Sequence, residues 1–185
     1  MEPLYAHSLD SPLGTIHLRI DTQGRLVALD FDDGIARTDA VLAKRRARLK
    51  LIESATLARE ITMSIKAYFE GDVFAIDMID VHAHGTPFQQ SCWQALRRIP
   101  AGQTCSYLDE ARAIGRATAI RAVGRANGAN PIPIVVPCHR VIASDGSLGG
   151  YSAGLQRKVW LLDHERRYRS ATARAPSHAD ALALA

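Results

Sequence analysis

The stretch Asn130-Pro-Ile-Pro-Ile-Val-Val-Pro-Cys-His-Arg-Val-Ile142 is an apolar, β-branched run that delivers one thiol, Cys138, set between Pro137 and His139. Residues 132–136 read as a short buried strand, because Ile and Val suit a pleated, packed surface. The thiol would then stand at a strand end, held firmly yet able to face a cleft. Pro137 fixes its own φ and biases Val136 toward extended backbone. A cysteine in an apolar run is ordinarily a small buried hydrophobe. What sets this one apart is the cationic pair that follows, His139 and Arg140, since neighbouring positive charge draws a thiol toward the reactive thiolate. Extended backbone through 138 and 139 would send the two side chains to opposite faces. Proton exchange between them therefore needs a turn at that point or a bridging water.

Working outward, Thr86-Pro-Phe-Gln89 is a capping-box start with proline at the first helical position. The helix should run through Trp93 and Leu96 to Ile99, with Phe88, Cys92 and Leu96 as its core stripe and Cys92 structural. Ser106-Tyr-Leu-Asp109 caps a second helix ending at Gly115, and Thr118 caps a third that reaches Gly128. The link Gly115-Arg-Ala-Thr118 has the length and glycine of a helix-turn-helix, a geometry shared by many helix pairs that bind no DNA. On the third helix Arg121, Gly124, Arg125 and Gly128 share one face, opposite Ala119, Ala122, Val123 and Ala126. A mid-helix glycine costs about 1 kcal/mol relative to alanine, and close approach of a large partner would offset that cost.

Downstream, Ser144-Asp-Gly-Ser147 is a turn, and Leu148-Gly-Gly-Tyr-Ser-Ala-Gly154 is a glycine-rich loop without the lysine of a phosphate-binding P-loop. The last helix, 155 to about 165, places Leu155, Val159 and Leu162 on a buried stripe that Glu165 continues. A core-facing carboxylate must be paired or neutral. Pairing with His139 would orient the ring and raise its basicity; the alternative is a helix-end glutamate that reaches solvent.

Pro-Cys-His-Arg-Val, the Asn-Pro before it, Arg-Ala-Val-Gly at 121–124 and Gly-Tyr-Ser-Ala-Gly at 150–154 together resemble the O6-alkylguanine-DNA alkyltransferase family, the methylated-DNA-protein-cysteine methyltransferases. The likeness covers roughly Gly85 to Glu165 in several independent segments; the first eighty or so residues share only the family's layout. It implies a single-turnover repair protein for double-stranded DNA that flips O6-alkylguanine, with O4-alkylthymine a second candidate, and moves the alkyl group irreversibly to Cys138. By the same resemblance His139, Glu165 and Asn130 serve the cysteine, and Tyr107 crowds the phosphate of the flipped nucleotide. Tyr151, Ser152 and the main chain at Cys138 and Val141 hold the base. Arg121 fills the gap in the base stack from a helix lying in the minor groove, with Ala122 and Gly124 alongside and Arg116 and Ser144 as candidate phosphate contacts. A base inside a duplex is inaccessible to a nucleophile, and extrusion costs a few kcal/mol that inserted side chains must offset. Three positions depart from the family pattern: Arg125 replaces a small residue, Leu108 a frequent glycine and Ala117 a common proline. Arg125, one turn from Arg121, is expected to add a phosphate contact.

The N-terminal part reads as strands at 15–20 and 26–31 around an Asp21-Thr-Gln-Gly24 turn, then a basic loop or exposed helix at 37–50. A helix follows from Ser54 with Leu57, Ile61, Ile65 and Phe69 inward and Gly71 as its stop, then one more strand at 74–79. The whole is α+β. A small sheet-plus-helix domain (1–80) precedes a mostly helical domain (86–169) that carries the helix-turn-helix and the cysteine strand, and residues 170–185, rich in alanine, serine and proline, are expected to be a disordered tail. At 47% apolar and 23% charged the chain is ordinary globular material. No run is long and apolar enough for a membrane span and no secretory leader is evident, so a cytoplasmic monomer is expected. Three cysteines at irregular spacing suggest neither a disulfide framework nor a zinc site. His7, His17, His82 and His84 lack a spacing that forces convergence on a metal, and no cofactor is implied. A net charge of +4 is compatible with nucleic acid but does not select it. Two other readings share these residues: a damage sensor that binds the lesion without transfer, whose family members replace the cysteine, and a cysteine hydrolase.

Overall fold

Apolar strands on either side of a tight turn build the sheet that anchors the first half of the chain. The structure is a computed structural model and describes residues 3–46 and 49–172. Strands β1 (Leu4–Leu9), β2 (Ile16–Ile20) and β3 (Leu26–Phe31) pair antiparallel, and β4 (Leu51–Glu53) adds parallel to β1, giving the order β3-β2-β1-β4. Helix α1 (Ile35–Arg46) lies between β3 and β4, so the basic segment is helical as far as Arg46. Leu42 packs against Leu4, Val27 and Ala28 on one face of the sheet, while α2 (Ala55–Glu70) covers the other. Ser54 caps α2 and Gly71 ends it in the left-handed region at φ 117°. The buried stripe of α2 is Ala58, Ile61, Ile65 and Tyr68, one position away from the expected Leu57 and Phe69 stripe; Leu57 is exposed. The packed face is thus set by the small Ala58 and the long Tyr68, which reaches into the second half of the molecule.

The strand expected at 74–79 is a 3-10 turn, Ala75–Met78. Asp72 accepts from the Phe74 N–H, and Ile79 N–H donates to Ile76 O, so local bonds satisfy this backbone in place of a ladder. The outer edge of β3 is covered by later chain: Leu26 N–H donates to Asp80 O, His82 N–H to Leu26 O, and Leu29 N–H to Pro131 O. An otherwise open sheet edge thereby fixes the start of the cysteine segment.

The second half is helical: α3 (Pro87–Leu96), α4 (Tyr107–Ala113), α5 (Ile120–Gly128) and α6 (Leu155–Thr172), with one parallel strand pair, β5 (Cys105–Ser106) and β6 (Val141–Ile142). Thr86 and Gln89 form the expected capping box of α3, and Ser106 and Asp109 form that of α4. Thr118 does not cap α5; Ala119 stands at that position without a side-chain bond, one residue later than expected. Helix α6 extends to Thr172, seven residues beyond the expected end and into the segment expected to be a tail. Its last turns are held by Tyr168 against Gly71 and Arg169 against Gly102. The remainder, 173–185, lies outside the described residues. No helix among the described residues is long and apolar enough to cross a membrane.

Gly71 combines a left-handed φ with a missing side chain that the Tyr168 ring replaces, since a Cβ there would meet that ring at 2.6 Å. Gly71→Ala is expected to lower stability by about 1–3 kcal/mol from backbone strain alone. A fall in the urea midpoint at unchanged slope would show it.

Candidate active site

Residues 132–136 are buried as expected, but they form tight turns in place of a strand. Pro131, Pro133 and Pro137 have no N–H, so alternate positions cannot donate to a ladder. Ile134 adopts φ 76°, a costly conformation for a β-branched residue. Asn130 holds the coil together: its Oδ1 accepts from Ile132 N–H at 3.0 Å, and its Nδ2 donates to Val136 O at 2.8 Å and to Cys138 Sγ at 3.2 Å. The strand arrives only after the cysteine, where Val141–Ile142 pairs with Cys105–Ser106.

Cys138–Arg140 is a single 3-10 turn, which supplies the bend that Cys138 and His139 need. Both side chains are buried. His139 Nε2 lies 2.8 Å from Glu165 Oε1, and the Arg140 guanidinium forks onto both oxygens of the same carboxylate. Tyr68 Oη donates to Glu165 Oε1 at 3.0 Å, and Gly102 N–H donates to Oε2 at 2.9 Å. Burial alone would raise the Glu165 carboxyl, but His139 and Arg140 hold it well below the usual carboxylate range. An ionised carboxylate only accepts, so Nε2 carries the imidazole proton and Nδ1 is left with its lone pair. Burial pulls His139 below its ordinary value, with the Arg140 and Lys158 charges adding to the effect and Glu165 opposing it, so the ring is neutral. Nδ1 is buried and has no hydrogen-bond partner among the described residues.

The expectation that His139 and Arg140 would ionise the resting thiol is not met. Arg140 is neutralised by Glu165, His139 is neutral, and burial pushes the Cys138 thiol up to about 11, outweighing the Asn130 hydrogen bond and the Lys158 charge. Lys158 was not foreseen. It is fully buried on α6, where Leu155 and Val159, expected inward, are instead exposed. Its Nζ donates to Val141 O at 2.6 Å, to Leu148 O and to Gly150 O, binding the glycine-rich loop to β6. The Val141 carbonyl, expected to read an amine, thus already accepts one bond, and the Cys138 carbonyl accepts from Val141 N–H.

A cleft of about 290 Å³ opens onto Cys138, lined by Tyr107, Gly124, Asn127, Gly128, Gly150, Tyr151 and Ser152. Tyr151 Oη is buried there with no hydrogen-bond partner among the described residues. Larger clefts of about 530 and 560 Å³ lie along α6 and beside α2, away from the thiol. Helix α5 forms one wall, fixed to α3 by the Trp93 Nε1–H bond to Ala126 O at 2.9 Å. A Cβ at Gly124 would have ordinary 3.8 Å contacts and one at Gly128 none, so neither glycine is demanded by packing inside the molecule. Arg121 and Arg125 are exposed one turn apart on the same helix, Ala122 is half-buried between them, and Arg116 and Ser144 are exposed in flanking loops.

Residues 4–83 match the family described as 6-O-methylguanine DNA methyltransferase, ribonuclease-like domain, and residues 87–167 match its DNA binding domain. The chain belongs to the 6-O-methylguanine DNA methyltransferase family. It is 44% identical over 164 residues to a methylated-DNA--protein-cysteine methyltransferase of Salmonella typhimurium, covering 88% of this chain and 95% of the relative. A methyltransferase of the same name from Methanosarcina barkeri is 42% identical over 164 residues, covering 88% of this chain and 97% of the other. The fold matches that of Mycobacterium tuberculosis OGT in complex with DNA at a TM-score of 0.76 and 36% identity, covering 89% of this chain and 94% of that one. Methyltransferase-family membership agrees with the expected α+β arrangement: a sheet with helices followed by a mostly helical part with a short strand pair.

Removing the Glu165 charge leaves Arg140 as an uncompensated buried cation, so Glu165→Gln is expected to destabilise by about 3–5 kcal/mol. Because the folded carboxyl sits below its ordinary value of 4.5, its contribution is present above that pH and is lost as the pH falls through the folded value. Acid unfolding of the wild type should therefore steepen below about pH 4.5, a part of the curve that Glu165→Gln lacks in parallel denaturation series.

Proposed function

We propose that the protein repairs alkylated DNA as a methylated-DNA-protein-cysteine methyltransferase, taking the alkyl group of O6-alkylguanine onto Cys138. The observation that carries this reading is a buried thiol that receives a hydrogen bond from Asn130 and faces a cleft walled by the glycine-bearing helix α5, with a neutral, Glu165-oriented imidazole beside it. The base is everted from the duplex into this cleft, at a cost of a few kcal/mol offset by protein inserted in its place. Arg121 fills the vacated stack and Tyr107 turns the backbone. Ala122 and Gly124 let α5 approach the groove, and Arg116 and Ser144 take phosphates.

The resting thiol is protonated, so activation is coupled to occupancy. Filling the cleft orders a water between Sγ and His139 Nδ1, the proton passes to the imidazole, and Glu165 stabilises the resulting imidazolium. The thiolate displaces the purine in line at the alkyl carbon: the S–C bond forms, the C–O6 bond breaks, and the electron pair stays on the base. Hydrogen bonds from Tyr151 and Ser152 stabilise that leaving group, and it regains one proton as guanine. The product thioether has no acyl carbon for water to attack, so one molecule acts once. We further take residues 1–80 and 86–169 as the working domains of a cytoplasmic monomer, with O4-alkylthymine as a second lesion to be tried.

Incubation with duplex DNA containing O6-methylguanine should add one methyl mass to the peptide carrying Cys138 and return unmodified guanine. Labelling at Cys92 or Cys105, or lesion binding without any mass change, would overturn the assignment. Arg125, exposed one turn from Arg121, is assigned a phosphate contact. Arg125→Ala should weaken binding to all duplex sequences alike and lower the slope of log affinity against log salt by about one.

A further inference from the structure

Beneath the wall of the cleft, α4 and α5 are joined by a polar pair that plays no part in the reaction above. Glu110 is 2% exposed and Asn127 5% exposed, in a region otherwise packed by Cys92, Ala111, Val123 and Ala126. Asn127 Nδ2 donates to Glu110 Oε2 at 2.6 Å. The other two oxygens of the pair, Glu110 Oε1 and Asn127 Oδ1, are both buried and without a hydrogen-bond partner among the described residues. Two buried acceptors without partners, one on each member of a hydrogen-bonded pair, are a costly arrangement. One proton resolves it: a carboxylic acid donates from Oε1 to Oδ1 while accepting from Nδ2, closing a ring of two hydrogen bonds between the helices.

We propose that Glu110 is a positioning residue of the alkyl-transfer site: on the acid side of neutrality it carries a proton shared with Asn127, and that proton keeps the α5 wall of the lesion cleft in place and the surroundings of Cys138 free of an opposing charge. Asn127 lines the cleft together with Cys138, so Glu110 acts through it without touching substrate. The inference rests on the transfer reading for its functional meaning, though not for its chemistry.

The groups around Glu110 make its charge unwelcome. Burial is the main cause that raises Cys92 of α3, Cys105 of β5, Tyr107 of α4 and Cys138, and a negative Glu110 adds to each, at Cys138 only as a minor cause. Asp109, its neighbour on α4, is exposed and engaged with Ser106, and β6 brings only Val141 and Ile142. Burial pushes the Glu110 carboxyl up to about 7, and the one opposing influence is the hydrogen bond from Asn127. Its folded value is raised, so its stabilising share is complete below the ordinary carboxyl value of 4.5 and is lost as pH rises through about 7. Above that range the buried carboxylate adds its charge to the burial that already raises the thiol, and makes thiolate formation harder.

Glu110→Gln keeps the ring, because its amide donates to Asn127 Oδ1 and its oxygen accepts from Nδ2, and it removes the charge. The test is the rate of iodoacetamide labelling of Cys138 against pH, read by peptide mass, in wild type and Glu110→Gln. The two rates should coincide at pH 6, and the variant should be several-fold faster at pH 8 to 9; a rate ratio independent of pH overturns the proposal. Carbon NMR of the wild type labelled at glutamate carboxyls decides independently of whether the variant folds: one glutamate should titrate near neutral pH, and a spectrum in which none titrates above the ordinary range overturns it. A pH-dependent ratio with no methyl transfer from O6-methylguanine DNA in either protein would overturn the transfer reading and leave the shared proton standing.

Discussion

The arrangement of this protein depends on keeping one ionised carboxylate in a dry interior. Glu165 is fully buried, and four groups from separate parts of the chain converge on it: Tyr68 from α2, the Gly102 N–H from the turn after α3, and His139 and Arg140 from the cysteine turn. A charge so placed costs several kcal/mol unless each of its lone pairs is met. The requirement works in both directions. The partners make the charge tolerable, and the charge ties the first half of the chain, the helical half and the cysteine turn into one geometry. Arg140 also donates to Ile99 O, which extends the same network to the end of α3.

This constraint separates two properties that look alike in the sequence, a charged neighbourhood and an activated thiol. His139, Arg140 and Lys158 all lie close to Cys138, yet none is a free cation: Glu165 answers Arg140, the imidazole is neutral, and Lys158 is spent on three carbonyls. The sulfur rests as a thiol because desolvation outweighs what remains of the field. On the proposed mechanism, a sulfur kept protonated until a base occupies the cleft is protected from adventitious electrophiles.

The loop before the cysteine shows the same economy. Three prolines deny residues 131–137 a ladder, Asn130 supplies the missing bonds, and Ile134 takes a strained φ within a fully buried coil. Strain of this kind persists where the surroundings over-determine it. Here those surroundings are the β3 edge, through Leu29 and Pro131, on one side and the Glu165 network on the other.

Much of the site was legible in the sequence because it rests on local chemistry. The caps at Thr86 and Ser106 depend on side chains and backbone a few residues apart, and the glycine-and-arginine face of α5 follows from helical spacing alone. Pairing of Glu165 with His139 was one of two readings of the residues, favoured by the family resemblance; the fold makes the pair although the stripe that suggested it lies elsewhere on α6. Other features required the fold. β-branched residues suggested a strand at 132–136, and only the absence of prolyl donors, visible in the sequence but outweighed by the pattern, decided against it. The inward face of α6 passes through Lys158 in place of Leu155 and Val159, because carbonyls of Val141, Leu148 and Gly150 wait there for a donor. Glu110 and Asn127 stand seventeen positions apart and meet only when α4 packs on α5. Spacing along the chain thus determined where helices begin and which side chains share a face. What those faces meet, and so whether a charge is free, paired or protonated, was decided by tertiary packing, because desolvation and long-range partners set the state of a buried polar group and neither is written in its neighbours.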